Sequence, residues 1–145
     1  MRAFFAPLLF ALLLPGAFAQ QASPLGQWRT IDDHSGKPRS IVEVRENADG
    51  TLSARIVRLL DLSKGPNPAC DACRGALHGK PVVGMTIAWG LRRDGAGWSG
   101  GRILDPDNGK EYSVKFTPGT DGRSLEVRGY IGMPMLGRTQ VWQRE

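Results

Sequence analysis

Two cysteines, Cys70 and Cys73, are the whole thiol inventory of this 145-residue chain, and their spacing is the most chemically suggestive feature in it. In a thioredoxin-like protein such a pair opens a helix that follows a strand, where the helix N-terminus lowers the thiol pKa. Here it lies in a Pro- and Gly-rich stretch, 61–80, with no strand–helix–strand context. A local disulfide between Cys70 and Cys73 that pins a long loop is therefore the expectation, and a thiol-dependent redox protein is the alternative. His78 and His34 add possible zinc ligands, but they are isolated, whereas structural zinc sites pair closely spaced ligands. The carboxylate pairs Asp32/Asp33 and Asp105/Asp107 both sit in turn clusters, where Asp closes Asx-turns. Asp105-Pro106-Asp107-Asn108-Gly109 lacks the remaining ligand positions and closing Glu of a calcium loop. No Gly-x-Ser-x-Gly elbow is present. No catalytic residue, metal site or cofactor is expected.

The other candidate is apolar. The segment from Arg128 to Arg138 joins the last two strand-like segments yet is apolar where a solvated loop should be polar, with two Met, an Ile and a Leu bracketed by Gly hinges. Met adapts to irregular apolar ligands. A ligand-binding group of Arg128, Tyr130, Met133, Met135, Leu136 and Trp142 is expected, with the loop folded over the mouth of a cavity. Packing under the fold as a plug, or contact between two copies, are the competing readings of the same segment. Arg128 pointing inward would anchor an acidic head group, because a buried guanidinium needs an anionic partner. Pointing outward, it is a surface residue.

These residues need a scaffold, and the turn clusters define it. Asp32–Gly36, Asn47–Gly50, Arg93–Gly97, Asp105–Gly109 and Pro118–Gly122 recur at short intervals and supply Gly and Asx residues for tight turns. Between them apolar residues alternate: Val42 and Val44 oppose Glu43 and Arg45, and Tyr112, Val114 and Phe116 oppose Ser113 and Lys115. Eight strands are predicted, at about 26–31, 40–46, 51–60, 81–89, 97–104, 110–117, 123–131 and 138–144. Short turns and one apolar face favour an all-β, antiparallel up-and-down barrel that leaves no exposed edge. The 61–80 stretch is its long loop, with room for a short helical turn, while Pro66 and Pro68 argue against anything longer.

Composition narrows the setting. Met1-Arg2, an apolar run from Ala3 to Leu14, and Ala17-Phe18-Ala19 form the pattern of a cleaved secretory signal. Residues 1–19 are read as that signal and residues 20–145 as one domain, exported to the periplasm without an integral membrane segment. Removing Arg2 leaves 18 Lys and Arg against 14 Asp and Glu, a charge of +4 without a basic stripe, so nucleic acid is not expected as a partner. A monomer or weak homodimer is expected.

Several motifs in order resemble one family. They are Gly26-Gln27-Trp28-Arg29-Thr30, Cys70-Asp71-Ala72-Cys73, Pro81-Val82-Val83-Gly84-Met85, Gly101 to Lys110, Leu125 to Gly132, and Gly137-Arg138-Thr139-Gln140-Val141-Trp142. Together they resemble the bacterial exported family labelled domain of unknown function 2147. The resemblance spans essentially the whole chain after the signal. It implies a lipocalin-like (calycin) barrel in the periplasm and no particular activity. Lipocalin-like barrels also open on Gly-x-Trp, with a late Arg stacked on the Trp. Gly26 and Trp28 match the first part, and Arg138 or Arg144 can supply the second, as barrel closure. The resulting reading is a carrier of a small apolar or amphipathic molecule, not an enzyme. An envelope interaction protein with a filled barrel is the runner-up.

Overall fold

The computed structural model describes residues 22–145; the expected signal and its cleavage point lie outside the described residues. The alternating segments form strands β1 (Gly26–Ile31), β2 (Pro38–Glu46), β3 (Leu52–Leu59), β4 (Thr86–Asp94), β5 (Gly97–Leu104), β6 (Glu111–Pro118), β7 (Ser124–Tyr130) and β8 (Gly137–Arg144). Each pairs antiparallel with its sequence neighbour, and β8 returns to β1, so the eight strands close into a barrel. Closure removes the unpaired edge that would otherwise invite aggregation.

The period of two sorts the side chains. Trp28, Val42, Leu52, Leu91, Phe116 and Leu125 fill the interior and have no exposed surface. Glu43, Arg45, Arg55, Lys115 and Glu126 face away from it. An apolar inside and a charged outside reverse the pattern of a membrane-spanning barrel. No helix among the described residues is long and apolar enough to cross a membrane.

The strand directions put four connections at one end of the barrel and three at the other. The closed end carries the short turns and both chain ends. There Pro24 accepts the Trp28 indole N–H at 2.8 Å as the N-terminal segment crosses beneath the barrel. The Asn47–Gly50 turn is typical of this end: Asn47 N–H donates to the Thr51 carbonyl, and Asp49 Oδ1 accepts both the N–H and the hydroxyl of Thr51. The open end carries the connections 32–37, 60–85, 105–110 and 131–136.

One strand boundary differs from expectation. The fourth strand was expected at about 81–89 but runs Thr86–Asp94. Pro81 to Met85 belongs instead to the long connection: Pro81 forms an isolated bridge with Ala69, and Val82 N–H donates to the Pro68 carbonyl at 2.9 Å. Gly84 then turns the chain at φ +90°, donating to the Ile56 carbonyl, and the strand starts after it. At its far end the hairpin needs only Gly95-Ala96, so Arg92 and Arg93 stay in the ladder opposite Ser99 and Trp98.

The connection from 60 to 85 holds one short 3-10 turn, Gly75–Leu77. Cys70 and Cys73 are joined by a disulfide. They are 1% and 3% exposed and pack with Val82 and Met85 against the barrel core. The ring closed by the bond is small, so chain entropy limits its contribution. Replacing both cysteines by Ala is expected to cost about 2 kcal/mol, read as a lower unfolding midpoint with the strands retained by circular dichroism.

Candidate functional site

The site is built outward from Trp28, which fixes the lumen face. The Arg144 guanidinium carbon lies 4.0 Å from the Trp28 ring centroid. Its three nitrogens donate to the carbonyls of Gly122, Leu25 and Ser23. A Cβ at Gly26, where φ is +112°, would come within 2.9 Å of the same guanidinium, so glycine lets the arginine pass. Arg144 thus ties both chain ends to the Trp at the closed end. Arg138, the other candidate, does not reach Trp28. It stands at the opposite end, 63% exposed, with its Nε 2.7 Å from Asp33 Oδ2.

Counting by twos from Trp28 and its partner Val42 places Thr30 and Ser40 in the lumen near the open end. Their hydroxyls lie 2.8 Å apart and they are 8% and 7% exposed, whereas Trp28 and Val42 are fully covered. On β6, Tyr112 shares the inward face of Val114 and Phe116, and its hydroxyl accepts from the Asn108 amide at 3.3 Å. On β7, Leu125 and Val127 point inward, and the next inward position is Gly129, whose added Cβ would meet only Tyr112 Cβ at 3.8 Å. Gly129 is in register with Arg138, and Val127 with Gln140. Thr30, Ser40, Tyr112, Gly129 and Gln140 therefore form the polar open-end lining of the barrel interior, the cup, above an apolar floor of Trp28, Phe116 and Trp142. Phe116 and Trp142 pack with their rings tilted at 60° and centroids 5.7 Å apart.

One wall of the cup is thinner than the rest. β1 and β8 pair only at Trp28–Arg144 and Arg29–Gln143, so the ladder stops halfway to the open end. Above that point side chains bridge the strands. The Trp142 indole N–H donates to Gln140 Oε1 at 3.3 Å, the Gln140 amide donates to Asp33 Oδ2 at 3.2 Å, and Asp33 also holds Arg138. This seam is the easiest side to open.

The ligand-binding group expected from the sequence is divided by the structure. Trp142 is buried in the floor. Arg128 is on the outer face, donating to the Pro134 carbonyl and the Thr139 hydroxyl, both at 2.9 Å. Tyr130 lies on the same outer face, opposite Ser113 and Gly137. Met133, Met135 and Leu136 do not cover the mouth; with Ile131 they project into solvent at the tip of the β7–β8 connection. The cover over the open end comes instead from the disulfide loop, which leans on the 105–110 turn through Cys70 Sγ and the Pro106 carbonyl. The cup residues Thr30, Ser40, Tyr112, Gly129 and Gln140 were not singled out from sequence. Their signal was parity with Trp28, Val42, Val114, Val127 and Trp142.

Charge around the open end is organised by turns. The Asp32 carboxylate lies below the usual range chiefly because it accepts from Ser35, with His34 N–H and Arg39 helping. Asp61 is lowered by Ser63 N–H, and at the closed end Asp49 is lowered by the Thr51 hydroxyl and N–H. Folded values below unfolded ones mean a stabilisation present at neutral pH and lost as pH falls through the folded values. The protection of the Ser35, Thr51 and Ser63 amides, taken against intrinsic exchange at the same pH, is expected to fall below about pH 4, while barrel-ladder amides stay protected. No group of three or more His, Cys, Asp or Glu among the described residues is placed to hold a metal. His78 Nδ1 instead lies 3.0 Å from the Cys73 carbonyl.

Comparison with known proteins agrees with this architecture. A Helicobacter pylori protein described as belonging to the lipocalin family superposes with a TM-score of 0.75 at 22% identity, over 86% of this chain and 84% of its own. That similarity establishes the fold. No curated protein matches significantly. The family model described as an uncharacterized protein conserved in bacteria, DUF2147, matches residues 26–144. Barrel, closing arginine and disulfide loop all fall within that span, and the chain belongs to the DUF2147 family.

Proposed function

We propose that the protein is an exported, periplasmic carrier that holds the apolar part of a small amphipathic molecule in the cup at the open end of its barrel. The observation that carries this is the change along the lumen. Side chains are apolar and fully covered at the floor and become polar toward the open end at Thr30 and Ser40, which are 8% and 7% exposed and pair through their hydroxyls. The filled floor restricts the ligand to the upper half, so a short chain or single ring fits better than a long acyl tail. Arg138 is the group placed to meet an anionic head, exchanging Asp33 for it. Binding rather than catalysis is also what the lipocalin-like fold favours, and the burial of both cysteine sulfurs disfavours thiol exchange, which needs an accessible sulfur.

The fully covered floor also favours a second reading, in which the barrel is only a scaffold and the surface binds a partner. Gly129→Phe separates the two. Its backbone has an ordinary φ and a Cβ fits there, so a larger side chain is directed into the cup from an unstrained strand position. Affinity for the amphipathic fluorophore anilinonaphthalene sulfonate is expected to fall at least about tenfold in this variant and to survive in Gly129→Ala. Undiminished binding in Gly129→Phe would leave the scaffold reading.

A further inference from the structure

Among the described residues, no hydrogen bond or ion pair joins the β7–β8 connection, 131–136, to another loop of the open end. The 60–85 and 105–110 connections lock together through the Cys70 contact to Pro106, and Arg39 and Lys64 both reach Asp107. The tip opposite them presents Ile131, Met133, Met135 and Leu136 at 67%, 56%, 75% and 70% exposure. It is a braced structure, not a loose one. Leu136 N–H donates to the Met133 carbonyl at 2.9 Å, and Arg128 clamps Pro134 to Thr139 from behind. Four large apolar side chains held outward in this way need a covering surface.

The residues directly behind the tip indicate what covers it. Arg128 is in register with Lys115 on β6, and both face outward. The Arg128 guanidinium bonds only to a carbonyl and a hydroxyl, and neither residue has a carboxylate within ion-pair distance among the described residues. Arg102 on the same outer face is balanced by Glu111, and Glu126 lies one outward position farther from the tip. The result is an apolar tip with a net positive collar.

From this pairing we infer that the β7–β8 tip docks on an anionic lipid bilayer, with Met133, Met135 and Leu136 entering the interface and Lys115 and Arg128 meeting headgroup phosphates. Interfacial anchoring works by this combination of apolar insertion and electrostatic attraction. A second copy is the poorer occupant. A two-fold contact of tip on tip would bring each collar against its equivalent and set like charges together. Docking would also turn the open end, with the unpaired stretch of the β1–β8 seam, toward the bilayer. The inference does not depend on whether the cup holds a ligand.

The test is co-sedimentation of residues 20–145, which contain the whole closed barrel, with vesicles of phosphatidylcholine alone and of phosphatidylcholine mixed with phosphatidylglycerol. Binding is expected to the mixed vesicles only, and to weaken as salt is raised. Met135→Ser/Leu136→Ser is expected to reduce it at least about tenfold with an unchanged unfolding midpoint. Lys115→Gln is expected to reduce it about fivefold. Failure to sediment with the anionic vesicles, or sedimentation that the double variant leaves intact, would overturn the inference. So would a concentration-dependent dimer that the double variant abolishes, because the tip would then belong to a second copy.

Discussion

Arg144→Ala is expected to cost about 3 kcal/mol of folding stability, the sum of a lost cation–π contact and three carbonyls deprived of a charged donor. The guanidinium stacks on Trp28 and bonds to Gly122, Leu25 and Ser23, so one side chain links the β7-side turn, the N-terminal segment and the first strand. Arg144→Lys should recover little, since an ammonium has neither the flat face nor the fork to reach three acceptors. Arg138→Ala is expected to cost under about 1 kcal/mol, as an exposed ion pair does. Urea unfolding monitored by tryptophan fluorescence distinguishes the two arginines. Equal losses in the two alanine variants would mean that Arg144 is not the closing residue.

Gly109→Ala is the second large effect, expected at about 3 kcal/mol from positive φ and overpacking together. At φ +71° a Cβ on Gly109 would sit 1.8 Å from the Ala72 carbonyl oxygen, a backbone atom that cannot rotate away. Relief requires the disulfide loop to lift from the 105–110 turn. The variant should therefore lose thermal stability and also expose Cys70 and Cys73 to reductant, seen as faster labelling after mild reduction. A neutral Gly109→Ala would show that the loop does not rest on this turn.

Both effects depend on contacts between distant segments, and that is where the sequence stopped being informative. The alternation in β2, β6 and β7 and the Gly- and Asx-rich turns made the strands and the up-and-down barrel legible, because both are local. Strand four was misplaced since Pro81-Val82-Val83 has strand composition, while its actual partners, Pro68 and Ala69, lie in a loop. The sequence offers two closing arginines, Arg138 and Arg144, because the β1–β8 register depends on how six residues, 131–136, fold between β7 and β8. Arg128 was undecided for want of a lumen face, and Leu125 and Val127 pointing inward set it outward. The apolar tip was recognised as unusual, but its expected place over the mouth is taken by the disulfide loop. That arrangement rests on Cys70 meeting Pro106 and Gly109 meeting Ala72, contacts that leave no periodic trace.

Native mass spectrometry of the protein isolated without detergent from its own cells tests the carrier reading most directly. The account predicts a reproducible small extra mass that disappears on denaturation and is displaced by added amphiphile in the parent protein but not retained in Gly129→Phe. A bare mass that no added amphiphile shifts would contradict it.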